Sequence, residues 1–387
     1  MKMSLLLITL LTSFCLCAED VSVKPAGEGT AESPYLFDRL ENFFWLRQQT
    51  SEMDPHVPVY CKQIKDIDAS ATQQGGDYTW QTIEFNNHIF IYDGQCYTIY
   101  GLEPEEKGYL FGNSNLQLKN IRICGTEGKK TCALAKGISS KAFLKNCHVE
   151  GLVVGTPALV ENVSGSDIII EDCVAEVDIE GLQSSGSLIK QLNVSGVCSV
   201  RNTCFRGRIK TTKTGISGMI GFVMPLSNNA EFIIEDCYSA FDVAVVPEDY
   251  CQFAGLIYQI CPISLKIKSK ISIERCYVFG KISGSQTVNN KAFILWEMGS
   301  NSTVNVKHCF YNESMNLPDD YAVSKTDEEM KHRATFENYD FENVWDIDEG
   351  EGMPFLRCEI PEPHGFAVML LLFLFKNRST KIIRGKL

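Results

Sequence analysis

Apolar and polar positions alternate through the middle of the chain with a period near two, in short runs broken by Gly, Ser and Asn. Such runs, rich in Ile, Val, Phe and Tyr, predict short β-strands. Several runs end alike. Residues 168–173 read IIIEDC, 232–237 FIIEDC, 271–276 ISIERC and 304–309 VNVKHC. Weaker copies stand at 142–147 (AFLKNC) and 199–204 (SVRNTC). The intervals between these cysteines are 26, 31, 33, 39 and 33 residues. A small residue followed by apolar ones precedes each copy, as in Gly186-Ser187-Leu188-Ile189 and Gly255-Leu256-Ile257. A third alternating run often follows the cysteine, as in Tyr277 to Ile282.

Three strands per unit, with the same residue at the same place in each, predict stacked coils. Sandwiches and barrels also use short strands but have no need for that equivalence. The fold class expected is therefore all-β, a right-handed parallel β-helix of three-strand coils, about seven, with short helical caps at both ends. Seven coils make a rod about 34 Å long. Cys147, Cys173, Cys204, Cys237, Cys276 and Cys309 should form an inward column. Stacked side chains keep their Cβ atoms about 4.8 Å apart, against about 3.8 Å in a disulfide, so free buried thiols acting as small hydrophobes are favoured. Cys198, Cys251 and Cys261 are freer to pair.

The chain divides into a signal peptide (1–18), a linker and N-terminal cap (19–80), β-helix repeats (81–312), a C-terminal cap segment (313–358) and a tail (359–387). Asp38 with Glu41 resembles a helix start, with Leu40, Phe43 and Phe44 as an apolar face. Thr326 with Glu329 forms a second capping box, after which Phe341, Val344 and Trp345 are expected to plug the far end. Lys2, the apolar run from Leu5 to Leu11 and the small residues ending at Ala18 read as a secretory leader. Export places the chain outside the cell or on its surface and permits disulfides. A net charge of −12 excludes a general nucleic-acid binder.

Chemistry is sparse. Asp172 and Asp236 each precede a stacked cysteine and could begin a carboxylate row, but Thr203 interrupts it and Arg275 and His308 continue it. Asp319-Asp320 reads as a turn. No nucleophile elbow, HExxH, phosphate loop or CxxC spacing is present, so no catalytic residue, metal ligand or cofactor is assigned. Asn162, Asn193, Asn301 and Asn312 begin glycosylation-type triplets.

Residues 27–37 (GEGTAESPYLF), 60–69 (YCKQIKDIDA), 85–102, the Gly-Leu-Ile elements and 326–357 together resemble bacterial GLUG-repeat surface proteins, in their order. That resemblance implies a secreted or surface-attached β-helix with adhesive or carbohydrate-associated roles, and no shared activity. Pro361-Glu362-Pro363, the apolar run Phe366–Phe375 and the basic end resemble a PEP-CTERM sorting signal, which implies an exosortase-type processing partner. The function expected is a non-catalytic adhesion, matrix or polysaccharide-binding protein. The alternative is a polysaccharide lyase or hydrolase on the same scaffold.

Overall fold

The computed structural model describes residues 21–360 apart from 86–87, 106, 213–214, 246–249, 285, 288–289 and 299–300. The expected leader (1–18) and nearly all of the expected sorting tail lie outside the described residues. The described chain is a parallel β-helix with three long faces, sheets I, II and III, of which I and III share the continuous strand Tyr109–Lys119; shorter strand pairs lie beside them. Each coil passes in turn through sheet III, sheet I and sheet II. In one coil these strands are Val160–Gly165, Ile168–Glu171 and Val174–Glu180. In the next they are Ile189–Val194, Val197–Arg201 and Cys204–Thr211, paired parallel and in register with the first.

Coils with a strand on every side run from Tyr109–Lys119, which turns from sheet III into sheet I, to Phe310–Asn312. Pairing extends beyond the expected 81–312. Tyr35–Phe37 and Val59–Gln63 add parallel strands to sheet I, and Val323–Lys325 adds one to sheet II. Their runs are too short to stand out in the sequence. An existing strand edge completes their hydrogen bonds.

Alternation decides which side chains enter the core. Phe111, Ala135, Val160, Ile189, Ile220, Ile257 and Ile294 stack inward on sheet III. Small residues precede them because successive backbones touch there. A Cβ on Gly255 would lie 2.1 Å from the carbonyl of Ala292. Outward, charged side chains pair from coil to coil, as in Lys145–Glu171 at 2.8 Å and Arg201–Glu235 at 2.9 Å. Such exposed pairs contribute about 0.2–1 kcal/mol each and chiefly keep the face hydrated.

A helix, α1 (Leu40–Gln49), lays Phe43 and Phe44 against Phe37, Trp80 and Tyr92 near the N-terminal end of the core. Asn42, not Glu41, answers its first turn. Its Oδ1 accepts from the amides of Asp38 and Arg39 at 3.0 and 3.2 Å. Asp38 instead holds the guanidinium of Arg39. The C-terminal segment departs further from expectation. The Thr326–Glu329 box forms, with Glu329 N donating to Thr326 Oγ1 at 3.0 Å. It opens only the 3-10 turn Glu329–Lys331, and no α-helix follows among the described residues. Phe341, Val344 and Trp345 do not plug the end of the rod. Residues 326–360 form a strap lying along its flank, over outward side chains of sheet II. Met330, Phe336, Tyr339, Trp345 and Leu356 cluster there with Val174, Cys204, Tyr238 and Tyr277. At the C-terminal coils, Met315 and Leu317 join the main core instead.

Candidate functional site

The corner between sheets I and II carries a row of polar turn residues. Each coil turns there through one residue with positive φ. These residues are Asn120, Asn146, Asp172, Asn202, Asp236, Arg275 and His308, with φ between 47° and 55°. Asn and Asp tolerate that conformation best, which explains their frequency at this place. The interruption in the expected carboxylate row is thus Asn202, not Thr203. Register moves every assignment in that coil by one. Thr203 occupies the inward cysteine position, and Cys204 is the first residue of the following strand, in line with Val174 and Tyr238. Local similarity in SVRNTC aligned the wrong residue. Pairing of Arg201 with Glu171 and Glu235 settles it.

The inward column is therefore Cys147, Cys173, Thr203, Cys237, Cys276 and Cys309. Each thiol donates to the carbonyl two residues before it, at 3.1–3.5 Å. Thr203 Oγ1 makes the same bond to Arg201 O at 2.7 Å. Among the described residues, the cysteines of the column form no disulfide. Cys198 is a core residue in register with Ile168 and Phe232, with no exposed surface for pairing outside the rod.

The turn residues hydrogen-bond along the rod. Asn120 Nδ2 donates to Asp93, Asn146 Nδ2 to Asn120 Oδ1 and Asn202 Nδ2 to Asp172 Oδ1, each at 2.9–3.0 Å. Asp236 lies two coils from Asp172 and is sequestered. Arg275 holds both its oxygens at 2.9 Å, and Trp345 Nε1 donates to Oδ1 at 2.9 Å. The two carboxylates therefore do not face one cleft. Trp345 is fully buried among Tyr238, Tyr277 and Tyr339, so it offers no exposed ring to a sugar.

Beyond the end of the strap the corner opens into a groove of about 570 Å³. Its walls include Gln95, Cys96, Asn120, Asn146 and Asp172, with the cations Arg122, Lys145 and Arg357. Cys358 and Ile360 close one side. Burial raises the pKa of Asp172 despite the bond from Asn202. Burial also pushes the Cys358 thiol well up, and its Sγ donates to Asn202 O at 3.3 Å. Cys124, on the neighbouring strand, is pushed up to about 11 by burial and by Glu150. Thiols held protonated are poor nucleophiles. The groove offers amides, the cation Arg122, the ion-paired cations Lys145 (with Glu171) and Arg357 (with Asp346), and one carboxyl group with a raised pKa. That set can bind a polar or acidic chain through hydrogen bonds and charge.

Glu359, placed by the sequence in the sorting tail, belongs to the folded strap. It accepts from Tyr238 Oη at 2.9 Å and Leu356 N at 2.6 Å, and pairs with Arg206 at 2.9 Å. Sequence inspection missed this anchor because Tyr238 and Arg206 lie more than a hundred residues away.

Asp319 does make a turn, as expected. It also accepts from Phe293 N at 2.6 Å, satisfying a strand-edge donor.

No family model matches the chain, and no curated protein matches it. Among solved structures it is similar to a "putative immunoglobulin A1 protease" from Bacteroides ovatus, with a TM-score of 0.54 and 16% identity. The likeness covers 86% of this chain and 94% of that one, and at this identity it shows the shared β-helix fold alone.

Proposed function

We propose that the protein is a non-catalytic β-helix of the secreted or cell-surface class that binds an acidic polysaccharide in the corner groove. The observation that carries this reading is the groove's composition: fixed amide ladders beside Arg122, Lys145 and Arg357, with the Cys358 thiol held protonated. Export by the leader and processing of the tail belong to the same reading. The mass of the exported protein reports whether residues 361–387 remain.

A second reading has one observation in its favour. Asp172, its pKa raised by burial, is a general-acid candidate for a polysaccharide-cleaving enzyme. A panel of acidic and neutral polysaccharides separates the two. Retention of acidic chains without new reducing or unsaturated ends, weakened at least tenfold by Arg122→Ala, is the expected result. New ends that disappear in Asp172→Asn overturn it.

A further inference from the structure

The segment between the sheet III strand Ile257–Ile260 and the sheet I strand Lys270–Glu274 reads CPISLKIKS. Ile263 and Leu265 stand 67% and 68% exposed, more than any other large apolar side chain among the described residues. Their exposure is built in. Ile263 N donates to Pro225 O at 3.2 Å, Ile267 N to Ser264 O at 3.0 Å and Lys268 N to Asn228 Oδ1 at 2.9 Å. Asn301 Nδ2 donates to Leu265 O at 2.8 Å, and Ile267 is buried beneath. The loop thus holds two aliphatic side chains in water against the hydrophobic effect.

The patch continues onto the next coil. Met298 N donates to Ile260 O at 2.9 Å, and Met298 and Trp296 are exposed there. Charge is equally specific. Lys266 and Lys268 alternate with the apolar residues, and no described carboxylate lies within ion-pair distance of either. Lys270 follows, paired with Glu231 at 2.6 Å. Residues 261–270 contain no acid, in a chain of net charge −12, and the acid on the next coil, Glu297 between Trp296 and Met298, accepts from Tyr321 Oη at 2.9 Å. Protruding aliphatics, an exposed indole and unpaired lysines match the boundary of an anionic lipid layer. A protein interface core would be depleted in lysine.

We propose that this patch is a lipid-surface contact: Ile263, Leu265 and Trp296 enter the headgroup–acyl boundary while Lys266 and Lys268 face anionic headgroups. The contact docks the rod by its side and is independent of the corner groove. The full chain, mixed with phosphatidylcholine vesicles with and without phosphatidylglycerol, tests it. Quenching of Trp296 fluorescence by brominated acyl chains is the local readout, with Trp296→Phe as the reference. Quenching is expected only on the anionic vesicles. Ile263→Ser with Leu265→Ser should abolish it, and charge reversal should weaken binding about fivefold or more per lysine. Both loop variants should keep the parent circular dichroism, since the changed side chains are exposed. Sedimentation with vesicles without Trp296 quenching would assign binding to another segment and overturn the proposal. So would self-association, or polysaccharide retention, that the serine variants abolish in a protein that ignores lipid.

Discussion

At the corner of most coils two adjacent residues answer two demands. The turn needs a residue tolerant of positive φ, and the next position needs a small buried donor. Asn or Asp followed by Cys supplies both, and Asn202-Thr203 supplies them equally well. The column is thus more than a row of small hydrophobes. It gives a second hydrogen bond to a carbonyl that already accepts the turn amide of the neighbouring coil, as Glu171 O does from Asn146 N at 3.0 Å. Thr203 has a second duty, since its Oγ1 accepts from Cys173 N at 3.3 Å. Thr203→Val keeps the shape and removes both bonds, so it should cost about 1–3 kcal/mol. Thr203→Ser should cost less. Urea unfolding at unchanged m-value checks the order, and equal midpoints for the two variants would contradict the hydrogen-bond account.

At the scale of elements, the strap is held by a few buried contacts rather than by strand pairing with the coils. Its central anchor is Trp345, buried against the Tyr238–Tyr277 stack, whose ring centroids lie 4.9 Å apart. Trp345→Ala removes that filling and leaves Asp236 without one donor, at about 3–5 kcal/mol. A strap that makes few backbone bonds to the coils should then open while the coils persist. Trypsin should cut first near Lys331 and Arg333, with little change in β-sheet circular dichroism. Simultaneous loss of sheet signal and strap would show instead that they form one cooperative unit.

For the molecule as a whole, His148 is one source of acid sensitivity, beside carboxylates held below their ordinary range such as Asp93 and Glu161. His148 stands on the outward row of sheet II, in register with Arg122 and Val174. Burial lowers its pKa from 6.5 to about 4, with Arg122 and Arg206 adding to the effect. Between these values the unfolded chain binds the proton and the folded one does not, so stability falls as pH drops from 6.5 to about 4. Part of the ring remains at the surface, which discounts the loss to the order of 2 kcal/mol. Glu359 acts oppositely. Burial raises its pKa, so its contribution weakens as pH climbs above the ordinary carboxylate range. His148→Gln should flatten the stability profile between pH 6.5 and 4. An unchanged slope would place the acid sensitivity elsewhere.

The sequence alone determined the solenoid, because coils that stack must repeat their alternation and their corner residues, and both are local patterns. It reached most of the inward column the same way. Tertiary structure alone decided which residue of SVRNTC faces inward, since one step of register exchanges the two faces of a strand. It decided that Asp172 opens onto a groove while Asp236 is locked to Arg275 and Trp345. It also sent the strap along the flank rather than over the end, because Tyr238, Tyr277 and Phe310 align into an apolar stripe only once the coils are stacked. Local patterns in a chain encode the coil. The contacts between distant segments that shape the groove and seat Glu359 exist only in three dimensions.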